Sequence, residues 1–200
     1  MWSFARGLNG CAMPAEDDED RLVQRARDGD QEAFNVLAAR YSTRLRHTLY
    51  RVTRDCEAAA DAVQETLLRA WRAMPRFEGR SRFYTWLTRI GLNEAYRGLR
   101  PAVEEPLELT DRVGEHIPAW GSRPDSVFES REFLAAVERA LGELPIDYRV
   151  AVTLRDIEGL SLREAADVVG IGERAFKSRL HRGRLALRAM LDEYFAEGYL

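Results

Sequence analysis

The chain has 200 residues, enough for one large domain or two small ones, and its 46% hydrophobic and 32% charged content is that of a folded soluble polypeptide. Its two cysteines, Cys11 and Cys56, stand outside any CxxC or Cys/His cluster. That argues against a zinc site or disulfide framework and fits a reducing cytoplasm. The formal net charge of −3 argues against a uniformly basic nucleic-acid binder, and no apolar run approaches the roughly 20 residues of a membrane span, so no membrane insertion is expected.

Met1 to Ala15 carries Trp2, Phe4 and Arg6 but no apolar h-region of a secretory signal. With the acidic run Glu16–Asp20 it reads as a disordered, solvated leader over 1–20, and Met13 is an alternative start. Asp30 opens a helix in which Ala33, Phe34, Leu37, Ala38, Tyr41, Leu45 and Leu49 follow three-four spacing. A second helix is expected from about Glu57 to Met74, with Ala60, Val63, Leu67, Ala70, Trp71 and Met74 as its stripe and Pro75 as its stop. Arg76 to Ser81 is a loop containing Gly79, and a third helix runs from about Arg82 to Leu99.

Residues 101–124, with several prolines, two glycines and scattered acids, have no sustained period and read as a flexible acidic linker. Helices resume near Asp125. Phe133, Leu134, Val137, Ala140, Leu141 and Leu144 form a stripe before Pro145, and Tyr148, Val152, Leu154 and Ile157 lead to Gly159. No strand alternation is long enough to assign. The expected fold is all-α: two small helical domains at 21–100 and 125–192, joined by the linker, with a tail at 193–200.

The charge is segregated. From Arg76 to Arg100 six arginines face Glu78 and Glu94, a net +4; from Pro101 to Glu132 eight acids face three arginines, a net −5; from Gly172 to Arg188 six cations face Glu173, a net +5. Two basic patches flanking an acidic stretch are compatible with two contacts on a polyanion.

The sharpest local signal spans Gly159 to Arg188. Ser161-Leu162-Arg163-Glu164 has the pattern of a capping box. A short helix then turns Leu162, Ala165, Ala166 and Val169 inward, Gly170 suits the left-handed residue after a helix end, and a second helix starts near Gly172 or Glu173. This is the punctuation of a helix-turn-helix. The second helix sets Phe176, Leu180, Leu187 and Leu191 against Arg174, Lys177, Ser178, His181, Arg184 and Arg188, with Arg182 beside them. A recognition helix needs that separation, apolar behind and donors in front; an ordinary amphipathic helix with a solvated basic face has it too. His181 has no carboxylate partner in sequence and reads as a contact or surface residue.

The first basic patch mixes Arg80, Arg89 and Arg97 with Phe83, Tyr84, Trp86 and Tyr96. Interleaved cations and rings suit single-stranded DNA, the cations following the backbone and the rings stacking on bases. Trp86 with Leu87 and Ile90 reads better as core. Phe83, Tyr84, Arg89, Asn93 and Arg97 are candidate contacts, Asn93 as a base-edge reader. On the preceding helix, Asp61, Gln64, Glu65, Leu68, Arg69 and Trp71 make a face that is either solvated or docks another protein.

These residues resemble the sigma-70 family of initiation factors, in its extracytoplasmic-function (ECF) group, over about residues 28–190. Gly29-Asp30 with Ala33-Phe34 and Tyr41 is similar to conserved region 2.1, Asp61 to Trp71 to region 2.2, and Phe83 to Ile90 with Asn93 to regions 2.3 and 2.4. Leu144-Pro145 with Arg149, then Glu164-Ala165-Ala166 and Lys177 to Arg182, is similar to region 4. The resemblance implies a region 2 helical bundle that docks on core RNA polymerase and melts the downstream promoter element with a flipped base near Arg76–Ser81. It implies a region 4 helix-turn-helix on the upstream element, a linker threaded toward the RNA exit path, and an anti-sigma factor as partner. It departs at Gly172-Glu173-Arg174-Ala175-Phe176, where relatives often carry a Pro and a Gly-Thr pair, so the promoter sequence does not carry over.

No enzyme is expected: Asp61 and Glu65 lie one turn apart, but no His, nucleophile or phosphate loop joins them. No cofactor or metal is expected either. A stand-alone helix-turn-helix regulator of duplex DNA and a helical interaction module without a DNA role remain as alternatives.

Overall fold

The computed structural model describes residues 16–99 and 131–196, and the described residues are helical apart from short turns. The acidic run placed in the leader is instead the start of a helix, α1 (Glu16–Arg27). Its partners lie far along the chain: Asp18 pairs with Arg40 at 2.9 Å, and Tyr41 donates its hydroxyl to Glu19. Leu22 and Ala26 face the core. The leader proper, the expected flexible linker at 101–124 and the region just after Asp125 lie outside the described residues.

α2 (Gln31–Thr53) starts where Asp30 accepts a hydrogen bond from the Ala33 N–H, which satisfies one of the orphan amides of a first helical turn. It ends at Arg54, in the left-handed region at φ 60°, whose N–H returns to the Tyr50 carbonyl. Asp55 caps α3 (Cys56–Ala73) by accepting from the Glu57 and Ala58 amides. Pro75 then tightens the chain into a single 3₁₀ turn, Met74–Arg76, and α4 (Phe83–Leu99) follows the loop. α2, α3 and α4 pack on one another around Leu37, Leu45, Leu49, Met74, Leu87 and Leu92, all essentially without solvent contact.

The second module is α5 (Arg131–Glu143), α6 (Ile146–Val152), α7 (Leu162–Val169) and α8 (Glu173–Ala196). The last extends four residues into the expected tail. α8 lies against α5, α6 and α7, with Phe133, Leu141, Leu144, Leu154, Phe176 and Leu191 in the core. After α6 the helix widens into a π turn over Thr153–Ile157, closed by the Glu158 amide on the Thr153 carbonyl at 2.9 Å. Such widened turns re-aim the residues that follow them.

The two modules touch. α7 packs on α4, and α2 meets α5, α6 and the π turn.

Candidate nucleic-acid interface

The helix-turn-helix forms as its punctuation requires. Ser161 accepts from the Glu164 amide at 3.2 Å while the Glu164 carboxylate accepts from the Ser161 amide at 2.9 Å. The pair holds the Glu164 carboxyl below the usual glutamate range, the Ser161 side chain first and its backbone amide second. Gly170 ends α7 at φ 78°, returning its N–H to the Ala166 carbonyl. Ala165 and Ala166 are buried, so α7 and α8 approach closely.

Along α8, Phe176 and Leu180 are buried, while Arg174, Lys177, Ser178, His181 and Arg182 are exposed and form one open basic face. Arg184 does not join it. Its guanidinium makes a two-pronged pair with Asp156, at 2.9 and 2.5 Å, which raises its pKa above the ordinary arginine value. Arg179 likewise pairs with Asp147 at 3.0 Å. Both cations tie α8 to the π turn and α6.

On α4, Arg89, Asn93 and Arg97 are exposed and recur every four residues, so they share one face. Arg97 and Asn93 border a groove with Arg69 and Tyr96; Arg69 bridges Glu65 of its own helix and Glu94 of α4, at 2.7 and 3.0 Å. Arg80 is exposed in the loop, beside Glu78.

The two aromatic candidates at the start of α4 are not presented for stacking. Phe83 is 2% exposed and sits among Tyr41, Phe77 and Trp86; it is a core ring. Tyr84 is 6% exposed and lies under the second module. Burial, then the nearby Glu158 carboxylate, raises its hydroxyl above the usual tyrosine range.

On α3, Asp61, Gln64 and Leu68 are exposed on one face, Leu68 at 53%. Glu65 is half-buried in its ion pair with Arg69, and Trp71 packs against Phe34 at 5.2 Å between ring centres.

Comparison with known proteins bears on both modules. Residues 37–103 match the model of sigma-70 region 2 and residues 134–187 that of sigma-70 region 4. The RNA polymerase sigma-H factor of Pseudomonas aeruginosa is 33% identical over 92% of this chain and 100% of its own length. The chain belongs to the sigma-70 family, as an ECF-type RNA polymerase sigma factor. The ECF sigma-E factor of Escherichia coli is 36% identical over 83% of this chain and 90% of its own. Among solved structures, CnrH in complex with the cytosolic domain of CnrY matches with TM-score 0.63 and 30% identity, covering 88% of this chain and 99% of that one. The sigma factor RpoE in complex with the anti-sigma factor NepR, from Bartonella quintana, matches with TM-score 0.58 and 28% identity, covering 83% and 98%.

Several residues that shape this sigma factor's surfaces give no sequence signal. Asp156 takes Arg184 out of the basic face, and Glu158 covers Tyr84. Gly183, in mid-helix, lets α8 cross α6: a Cβ there would stand 2.9 Å from Val152 Cγ2 and 3.0 Å from the Tyr148 carbonyl oxygen. A glycine inside a strongly periodic helix was the one available hint of that crossing.

Proposed function

We propose that the chain docks on core RNA polymerase through the exposed face of α3, carried by Asp61, Gln64 and Leu68 with Glu65 and Trp71 at its edge. α8 enters the major groove of an upstream promoter element with Arg174, Lys177, Ser178, His181 and Arg182, and the Arg89–Asn93–Arg97 face of α4, with Arg80 and Tyr84, holds the melted downstream element. Arg184 and Phe83 act through packing. The chain works without catalysis of its own, in the cytoplasm. The observation that carries this reading is the capped helix-turn-helix with an open cationic face, in one chain with a helical bundle whose α3 and α4 faces stay exposed. A stand-alone regulator would leave those faces without a role.

Transcription in vitro on genomic fragments, with matching core enzyme and with or without the chain, tests the reading. Start sites that depend on the chain are expected, and their absence overturns it. By analogy with the RpoE–NepR complex, an anti-sigma factor binds this chain as well. Purification from native cells is expected to yield it beside polymerase subunits.

A further inference from the structure

Glu158 immediately precedes Gly159, where the chain turns toward α7. A loop carboxylate in such a place is ordinarily solvated. Its side chain is instead 0% exposed, and its side-chain partners among the described residues all lie on the other module. Arg44 Nε donates to one carboxylate oxygen at 2.8 Å, and another Arg44 nitrogen donates to the Glu158 carbonyl at 3.1 Å. Thr48 Oγ1 donates to the second oxygen at 2.5 Å, and the Tyr84 hydroxyl donates to the first at 3.2 Å. Arg44 also lies over the Tyr84 ring, 4.1 Å from its centre.

A second set of contacts crosses the same boundary. Arg51 pairs with Glu138 at 2.8 Å, Arg54 donates to the Glu138 carbonyl at 3.1 Å, and Arg149 donates to the Val52 carbonyl at 3.2 Å. Arg44, Thr48 and Arg51 recur at helical spacing on α2, a stripe that a free bundle would leave to water. Burying a carboxylate is costly unless its lone pairs are met. Those of Glu158 are met in the closed arrangement by α2 and α4, and in an opened one by water. Opening this contact therefore exchanges its protein partners for water rather than leaving them unmet.

We infer that Glu158 is an intramolecular latch: it holds the second module over the start of α4, keeps Tyr84 from DNA, and must release before that end of α4 can act. The basic face of α8 stays open in the closed form, so closure withholds melting while leaving duplex contact available. The consequence for melting rests on the function proposed for α4; closure itself does not.

The test uses the full chain carrying Cys11→Ser and Asp167→Cys, with a donor and an acceptor fluorophore on Cys56 and the introduced cysteine. Cys56 and Asp167 are both exposed. The unaltered latch should give a predominantly high-transfer population. Arg44→Gln strands a buried charge and should move the closed-to-open ratio at least about tenfold toward low transfer. Glu158→Gln, which leaves only a part-exposed guanidinium unpaired, should move it less, and the double variant should be less open than Arg44→Gln alone. Adding core polymerase to the chain with an intact latch should also produce low transfer. A chain that is open from the start, an Arg44→Gln variant of full helical content with unchanged transfer, or a chain that co-elutes with polymerase and is still closed overturns the latch. If Arg44→Gln loses helix by circular dichroism, Glu158→Gln on the opposite module decides, and unchanged transfer there overturns it. Transfer in the free chain is read without DNA or polymerase. Failure of the sigma reading would leave it unaltered, and failure of the latch would leave factor-dependent transcription intact.

Discussion

Arg184 and Lys177 are both cations on the basic stripe of one helix, and the fold gives them different work. Arg184 is tied to Asp156 by two short charge-assisted bonds at the edge of solvent. Arg184→Ala is expected to cost about 1–2 kcal/mol of stability, toward the low end because the pair is part-exposed. A thermal unfolding transition indistinguishable from the parent would show that the pair contributes nothing. Phe83 gives the matching case among the rings. Phe83→Ala should cost about 3–5 kcal/mol, since it empties a site walled by Tyr41, Phe77 and Trp86. Urea unfolding measures it, and a loss below about 1 kcal/mol would place the ring outside the core. Neither role was legible in the sequence: Arg184 has the spacing of the exposed cations, and Phe83 sits in a run of alternating rings and arginines whose pattern suits stacking on bases as well as packing. Only the fold supplies Asp156, 28 residues from Arg184, and Tyr41 on another helix.

At the scale of elements, what is written locally could be read and what depends on distant partners could not. Ser161, Glu164 and Gly170 mark the ends of α7 within ten residues, and the structure has both cap bonds and the left-handed turn. α1 went unread because its acidic first turns look solvated, whereas Asp18 and Glu19 meet Arg40 and Tyr41 on the next helix. Ser161→Ala should cost about 1 kcal/mol, as lost N-caps do. Glu164→Gln isolates the charge. The carboxyl is held below its ordinary range by Ser161. Its contribution is therefore present above the unfolded-state value and lost as pH falls through the lowered folded-state value. The variant should melt below the parent at neutral pH, and the gap should close in acid below the carboxylate range. A gap that persists there would assign the effect to shape rather than charge. Helix propensity alone favours Gly183→Ala by about 1 kcal/mol. Because the added methyl meets Val152 and the Tyr148 carbonyl, overpacking of about 1–3 kcal/mol offsets that gain, and a net loss of up to about 2 kcal/mol is expected. A more stable variant would show that α6 and α8 can part at that crossing without cost.

For the whole molecule, the division into two helical modules and the segregation of charge were legible, while their mutual contact was not: Arg44 and Glu158 are 114 residues apart, and nothing in either segment points to the other. The same folding decides how a chain of net charge −3 meets a polyanion. Between Gly172 and Arg188 the sequence offers six cations. In the fold Arg179, Arg184 and Arg188 are engaged with Asp147, Asp156 and Asp192. Arg174, Lys177 and Arg182 are exposed on the open face. Each phosphate neutralised steepens the logarithmic fall of affinity with salt by about 0.9. Replacing Arg174, Lys177 and Arg182 together by alanine should therefore flatten that slope by about 3 on a duplex probe. Replacing Arg179 and Arg184 should leave the slope nearly unchanged while lowering the unfolding temperature. Fluorescence anisotropy across a salt series separates the two. A flattening of about 2 by the second set, about 0.9 for each arginine removed, would mean that the carboxylates release their arginines to DNA, so that the acids of α6 and the π turn tune the grip of the recognition helix on DNA as well as supporting its packing.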